Sequence, residues 1–192
     1  MTITAEAQDT VLDLPDMSQF ESWLELNPDK TEVWVRVAKK HSGLASVTAA
    51  EAIEIALCFG WIDGHRKGLD DVSFLQRFSP RRRGSSWSKV NVDTVGVLTA
   101  SGRMREPGLA QVAAAKADGR WDAAYESQRT AEVPEDLVAA LASEPRAGEA
   151  FDRLNRSGRY ALILPLLKAR SAAGRAKILA REIAELASSA NT

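Results

Sequence analysis

The chain has 192 residues, 45% of them hydrophobic and 27% charged, with a formal net charge of −1. This is the composition of an ordinary globular protein, and a chain this long can bury roughly 70% of its unfolded surface without covalent staples, as one large domain or two small ones. One cysteine, Cys58, excludes an intramolecular disulfide and any multi-cysteine zinc or iron–sulfur centre.

Residues 1–15 are acidic and without period, and read as a flexible arm. The first 20 residues carry Glu6, Asp9, Asp13 and Asp16 with no Lys or Arg. They lack the basic and apolar blocks of a secretion signal. No run approaches the ~20 apolar residues of a membrane span. The expectation is therefore a cytoplasmic protein that does not insert into membranes. Met17, Phe20, Trp23 and Leu24 recur at helical spacing, and Pro28 ends that short helix. From Thr31 to Lys39, Val33, Val35 and Val37 alternate with Trp34 and Arg36, which predicts a strand with one buried face.

Thr48-Ala49-Ala50-Glu51 has the form of a capping box. The stripe Ala52, Ile53, Ala56 and Leu57 follows it, with Gly60 placed to stop the helix. Cys58, in the middle of an apolar run, reads as a buried small hydrophobe. Trp61–Lys67 and Val72–Phe78 predict a hairpin around Gly68-Leu69-Asp70-Asp71. Residues 88–102 fit a strand or a helix equally well. Pro107–Lys116 is a helix with Leu109, Val112 and Ala113 inward and Gly119 at its end.

Residues 127–134 read as a linker. Beyond it Pro134–Leu141, Pro145–Leu154, Tyr160–Lys168 and Ser171–Ala187 are helical, with a kink or break expected at Pro165. The predicted fold class is α+β. A mixed N-terminal domain (16–126), with a small antiparallel sheet packed by helices, precedes an all-helical C-terminal domain (134–192).

The chemistry is concentrated between Phe59 and Asn91. Arg77, Arg81, Arg82 and Arg83 precede Gly84-Ser85-Ser86, and Ser86 or Ser88 could cap the next helix. Guanidinium groups, hydroxyls and backbone N–H groups in such a run suit an anion. A surface loop with solvated arginines fits the same residues. The Gly-x-x-x-x-Gly-Lys-Ser/Thr phosphate loop is absent. Trp61 and Trp87 could stack on a planar ligand or pack in the core.

Asp63, His65 and Arg77 are the candidate catalytic residues, His65 as a base beside Asp63. Asp63 paired with Arg66, and Asp70-Asp71 in a turn, are the structural alternatives. With only His41 and His65 in the chain, no metal site is expected, and no cofactor is implied. Residues 1–32 hold eight acids (Glu6, Asp9, Asp13, Asp16, Glu21, Glu25, Asp29, Glu32) against Lys30, whereas 153–181 hold eight bases and no acid. A nucleic-acid interface over 77–89 and 153–181 is weighed against by the net charge.

Three phrases in this segment carry a resemblance. Cys58-Phe59-Gly60-Trp61-Ile62-Asp63-Gly64, Gln76-Arg77-Phe78-Ser79-Pro80-Arg81-Arg82 and Ser85-Ser86-Trp87-Ser88-Lys89-Val90-Asn91 are together similar to the YdeI/OmpD-associated, or bacteriocin-protection, proteins. Gly102-Arg103-Met104, Asp118-Gly119-Arg120-Trp121 and Gly158-Arg159-Tyr160-Ala161 extend the likeness over roughly residues 18–186, with departures at Arg83 and Gly158. The resemblance implies a role in survival under bacteriocins or cationic peptides and supplies no reaction. The resulting expectation is a cytosolic resistance-associated protein binding a small anionic or planar ligand through Trp61, Arg77, Arg81, Arg82, Ser86 and Trp87. An enzyme on such a ligand is the alternative, and a homo-oligomer remains open.

Overall fold

A computed structural model describes residues 11–189. The chain divides into two compact units: residues 11–85 with 91–122, and residues 86–90 with 123–189.

The first unit is built on four strands, β1 (Val11–Asp13), β2 (Val33–Ala38), β3 (Trp61–Gly68) and β4 (Ser73–Pro80), in the order β1-β2-β4-β3. β2–β4 and β4–β3 are antiparallel, but β1 runs parallel to β2. The sheet is therefore mixed rather than antiparallel throughout. The arm expected over 1–15 is corrected for its last residues: Val11 and Asp13 pair with Trp34 and Arg36, and Leu14 is buried. Three residues are too few to show a period, and their acidic surroundings hid the strand. Residues 1–10 lie outside the described residues.

Directly opposed residues of a ladder share a face. Val33↔Phe78, Val35↔Gln76 and Val37↔Phe74 place the three valines on one face. Against it pack Phe20 and Leu24 of α1 (Met17–Leu26) and Ala52, Ile55 and Ala56 of α2 (Ala49–Cys58). Asp16 caps α1 by accepting from the Gln19 N–H. The Thr48–Glu51 capping box closes α2 as the sequence predicts, and Gly60, at φ 75°, turns the chain out of it. Burial raises the Cys58 thiol above its usual range, so the thiolate that reactivity requires is disfavoured.

The ambiguous residues 88–102 form a helix, α3 (Lys89–Ala100), with Val95 and Leu98 buried and Val90 and Val97 exposed. α4 (Glu106–Ala117) is rotated from the expected face: Gly108, Val112 and Ala115 are buried, and Leu109 is 45% exposed. The reason is backbone approach. A Cβ at position 108 would lie 2.2 Å from the Cys58 carbonyl oxygen, so the helix turns its glycine inward and its leucine out.

The second unit contains α5 (Glu135–Ser143), α6 (Pro145–Arg153), α7 (Arg156–Lys168) and α8 (Ala172–Ser189). Leu137, Ala147, Phe151, Ile163, Leu166 and Leu186 form its core. α7 begins earlier than its apolar stripe suggests because Asn155 caps it, accepting from the Gly158 N–H. The helix runs without a break through Pro165, in its last turns. Asp136 on α5 forms a two-bond pair with Arg175 on α8, at 2.6 and 2.7 Å. No helix among the described residues is long and apolar enough to cross a membrane.

Two glycine substitutions test this packing in opposite directions. Gly108→Ala should lower unfolding free energy by about 1–3 kcal/mol, the usual cost of overpacking. Gly96→Ala, in α3 with nothing within 4 Å of the added methyl, should raise it by about 0.5–1 kcal/mol. Urea denaturation of both variants distinguishes them; equal effects would refute the close α4–α2 approach.

Candidate functional site

The hairpin β3–β4 carries most of the residues that the sequence singles out, and it is irregular. Asp63 pairs with Phe78, but the next pairing joins Arg66 to Gln76, so Gly64 and His65 occupy a β-bulge. In a regular ladder His65 would face Gln76. The bulge shifts the register by one residue and brings Arg66 there instead.

Gln76 makes this arrangement possible. It is 2% exposed on the core face of β4. Its Nε2 donates to the Gly64 carbonyl at 3.0 Å, with a longer 3.4 Å contact to the His65 carbonyl. Its Oε1 accepts from Arg66 Nε at 3.0 Å. The guanidinium also lies over the Phe74 ring, 4.3 Å from its centroid. A buried amide and an aromatic face thus fix the orientation of Arg66, whose Nη groups form no ion pair among the described residues.

Among the described residues no hydrogen bond or ion pair joins Asp63, His65 and Arg77, although the Arg77 guanidinium lies close to Gly64. The bulge breaks the period-two relation assumed for Asp63 and His65, and Asp63 makes no ion pair with Arg66. Arg77, on the opposite face beside Trp34, is held by Glu32 through Nε at 3.1 Å and through Nη2. Asp70 takes the turn role: its Oδ1 accepts from the Ser73 hydroxyl and from the Val72 and Ser73 N–H groups, and its Oδ2 pairs with Arg36 at 3.0 Å. The Ser73 hydroxyl, ahead of those N–H groups and Arg36, holds the Asp70 carboxyl below the usual range. Among the described residues no group of three His, Cys, Asp or Glu side chains is arranged to hold a metal ion.

The candidate ligand residues divide between the units. Trp61 lies in the first unit's core, 6% exposed and edge-on to Trp23 at 6.1 Å. Arg81 is 4% exposed, and its N–H donates to the Gly60 carbonyl. Arg82 is exposed; its N–H donates to Ser85 Oγ, closing a turn through Gly84 at φ 94°. Ser86 and Trp87 belong to the second unit, where Trp87 is 1% exposed and its carbonyl accepts from the Tyr125 N–H. Neither tryptophan presents an open ring face for stacking, because both are taken up by packing. Sequence reasoning missed Gln76 and gave Arg66 only a salt-bridge role. The available signal was a polar residue at an inward position of a strand.

A family model described as a domain of unknown function (DUF8412) matches residues 12–111. A second, described as "Bacteriocin-protection, YdeI or OmpD-Associated", matches residues 130–189. The chain belongs to the DUF8412 family, and its C-terminal helices, over residues 130–189, are similar to the YdeI/OmpD-associated family. Phe59–Asn91, whose phrases suggested the second family, falls within the first match, so the bulged hairpin lies in the domain of unknown function. No curated protein and no solved structure matches the chain.

Two variants check the site's framework. Gln76→Met removes the bonds to the bulge and to Arg66 while nearly preserving volume, and should cost about 1–3 kcal/mol by leaving buried polar groups unsatisfied; a change below 0.5 kcal/mol, roughly the range of surface substitutions, would contradict the bridging role. Asp70 has a folded pKa below its unfolded value of about 3.9, so its contribution is present above that value and lost as pH falls through the folded pKa. Asp70→Asn should therefore flatten the acid limb of stability below about pH 4. An unchanged acid limb in pH-dependent denaturation would remove Asp70 from the network.

Proposed function

We propose that this protein is a cytosolic binding protein for a small anionic molecule, acting in the protective role that the C-terminal family's description names. One observation carries the reading: the arginines of the 61–91 segment are sorted by partner. Arg77 is neutralised by Glu32 and Arg81 is buried. Arg66, Arg82 and Arg83 are exposed and, among the described residues, have no carboxylate partner. Exposed guanidinium groups recognise carboxylate and phosphate through planar, paired donors. The anionic half of the ligand class is thus supported. The planar half loses its two tryptophan platforms. Arg77 is already committed to Glu32, which counts against the enzyme alternative, and binding is the better supported class.

Inorganic phosphate at low millimolar concentration should raise the melting temperature beyond sodium chloride of equal ionic strength. The variant Arg66→Gln/Arg82→Ala/Arg83→Ala should lose that increment. Matched ionic strength and low concentration matter because phosphate also stabilises proteins generally by exclusion. An equal increment in parent and variant would refute the reading.

A further inference from the structure

In the first unit a pocket of about 560 Å³ opens between the turn after β2, the first turn of α2 and the hairpin residues Arg66 and Phe74. Its volume is within the range of small-molecule sites, about 300–1,000 Å³. Lys39, Lys40, His41 and Arg66 line it, and no carboxylate does. Leu44 and Phe74 supply an apolar wall.

The cationic groups differ in how they are held. Lys39 Nζ donates to the Asp70 carbonyl at 2.7 Å, which anchors that side of the turn. Arg66 is fixed from below by Gln76 and Phe74, with its Nη groups left over. The α2 N-terminus is already closed by its own capping box, with Thr48 N–H donating to Glu51 Oε2 at 2.8 Å. Charge in this pocket therefore comes from side chains rather than from the helix end.

His41 adds an independent observation. It is the one non-glycine residue with positive φ among the described residues, at 65°. It sits third in the turn closed by Ser42 N–H to the Lys39 carbonyl at 3.0 Å, a position where glycine is the low-cost choice. The turn thus carries an imidazole at a strained backbone position, on the wall of a basic pocket.

We propose that this pocket binds a small organic anion. Its phosphate or carboxylate group is held by Arg66 and the Lys40–His41 turn, and its apolar body lies against Phe74 and Leu44. This rests on the anion-binding reading above and adds to it a location and a ligand class. Arg66 presents the forked donors, the turn supplies further positive charge, and the apolar wall selects against bare inorganic ions. The bulge acts through Arg66: without it His65 would occupy the position opposite Gln76.

Titration calorimetry on the full chain, at matched ionic strength, tests the proposal with phenyl phosphate and inorganic phosphate as probes. Phenyl phosphate should bind about tenfold or more tightly than phosphate, since a buried ring adds apolar contact. Arg66→Gln should weaken phenyl phosphate by at least about tenfold, the expected loss of a charge-assisted bond. His41→Gly should weaken it as well while leaving the melting temperature unchanged or raised, because glycine relieves the turn. Lys40→Ala, at an exposed position, keeps the test valid if Arg66→Gln fails to fold.

Unchanged affinity in His41→Gly and Lys40→Ala would overturn the pocket, as would equal affinity for the two probes. Loss of binding in Arg82→Ala/Arg83→Ala but not in the pocket variants would also overturn it while leaving the broader anion reading standing. Absence of binding by either probe would remove both.

Discussion

The β-bulge at Gly64–His65, filled by the Gln76 amide, is the constraint on which the rest of the hairpin depends. A bulge leaves carbonyl groups without ladder partners, and burying them unpaired would cost free energy. Gln76 solves this from the core side of β4, donating to the Gly64 carbonyl while its own oxygen accepts from Arg66. The amide also brings a polar group into a face otherwise built of Val33, Val35, Val37 and Phe78. Its burial is tolerable only because donor and acceptor are both used. Remove the amide and both the bulge carbonyl and the arginine lose their positions.

Arginine has three distinct uses in the first unit. Arg36 ties the sheet together, meeting Asp13 of β1, Asp70 of the hairpin turn and the Ser73 hydroxyl. Arg77, Arg103 and Arg105 pair with Glu32, Glu54 and Glu21 and connect elements distant in sequence. These pairs are partly solvated, so each is worth little alone, and their effect is to fix geometry. Arg66, Arg82 and Arg83 form the third group, exposed and, among the described residues, unmatched by acid. Their positive charge is what the proposed anion binding would use.

Local signals in the sequence were reliable where the physics is local. The Thr48–Glu51 capping box, the alternation of β2 and the helical spacing of Met17–Leu24 each involve residues within a few positions of one another, and each appears in the structure. The signals failed where a distant backbone decides. α4 turns Gly108 inward because the Cys58 carbonyl leaves no room for a side chain, which an apolar periodicity cannot register. The bulge depends on Gln76, which lies ten residues or more along the chain from the groups it bridges. β1 is specified by pairing with β2, since three residues carry no pattern of their own. The candidate site was legible as a basic, glycine-punctuated segment. Its division between two units was not, nor was the basic pocket beside the Lys39–Ser42 turn.

The most direct test of the account is a map of backbone and arginine-side-chain NMR shifts on adding phenyl phosphate. Saturable shifts at Lys40–Leu44, at Phe74 and at the Arg66 Nε–H, with little change across α5–α8, are the predicted result. Shifts confined to Arg82–Ser85 or to the C-terminal helices, with the Arg66 resonance unmoved, would contradict it.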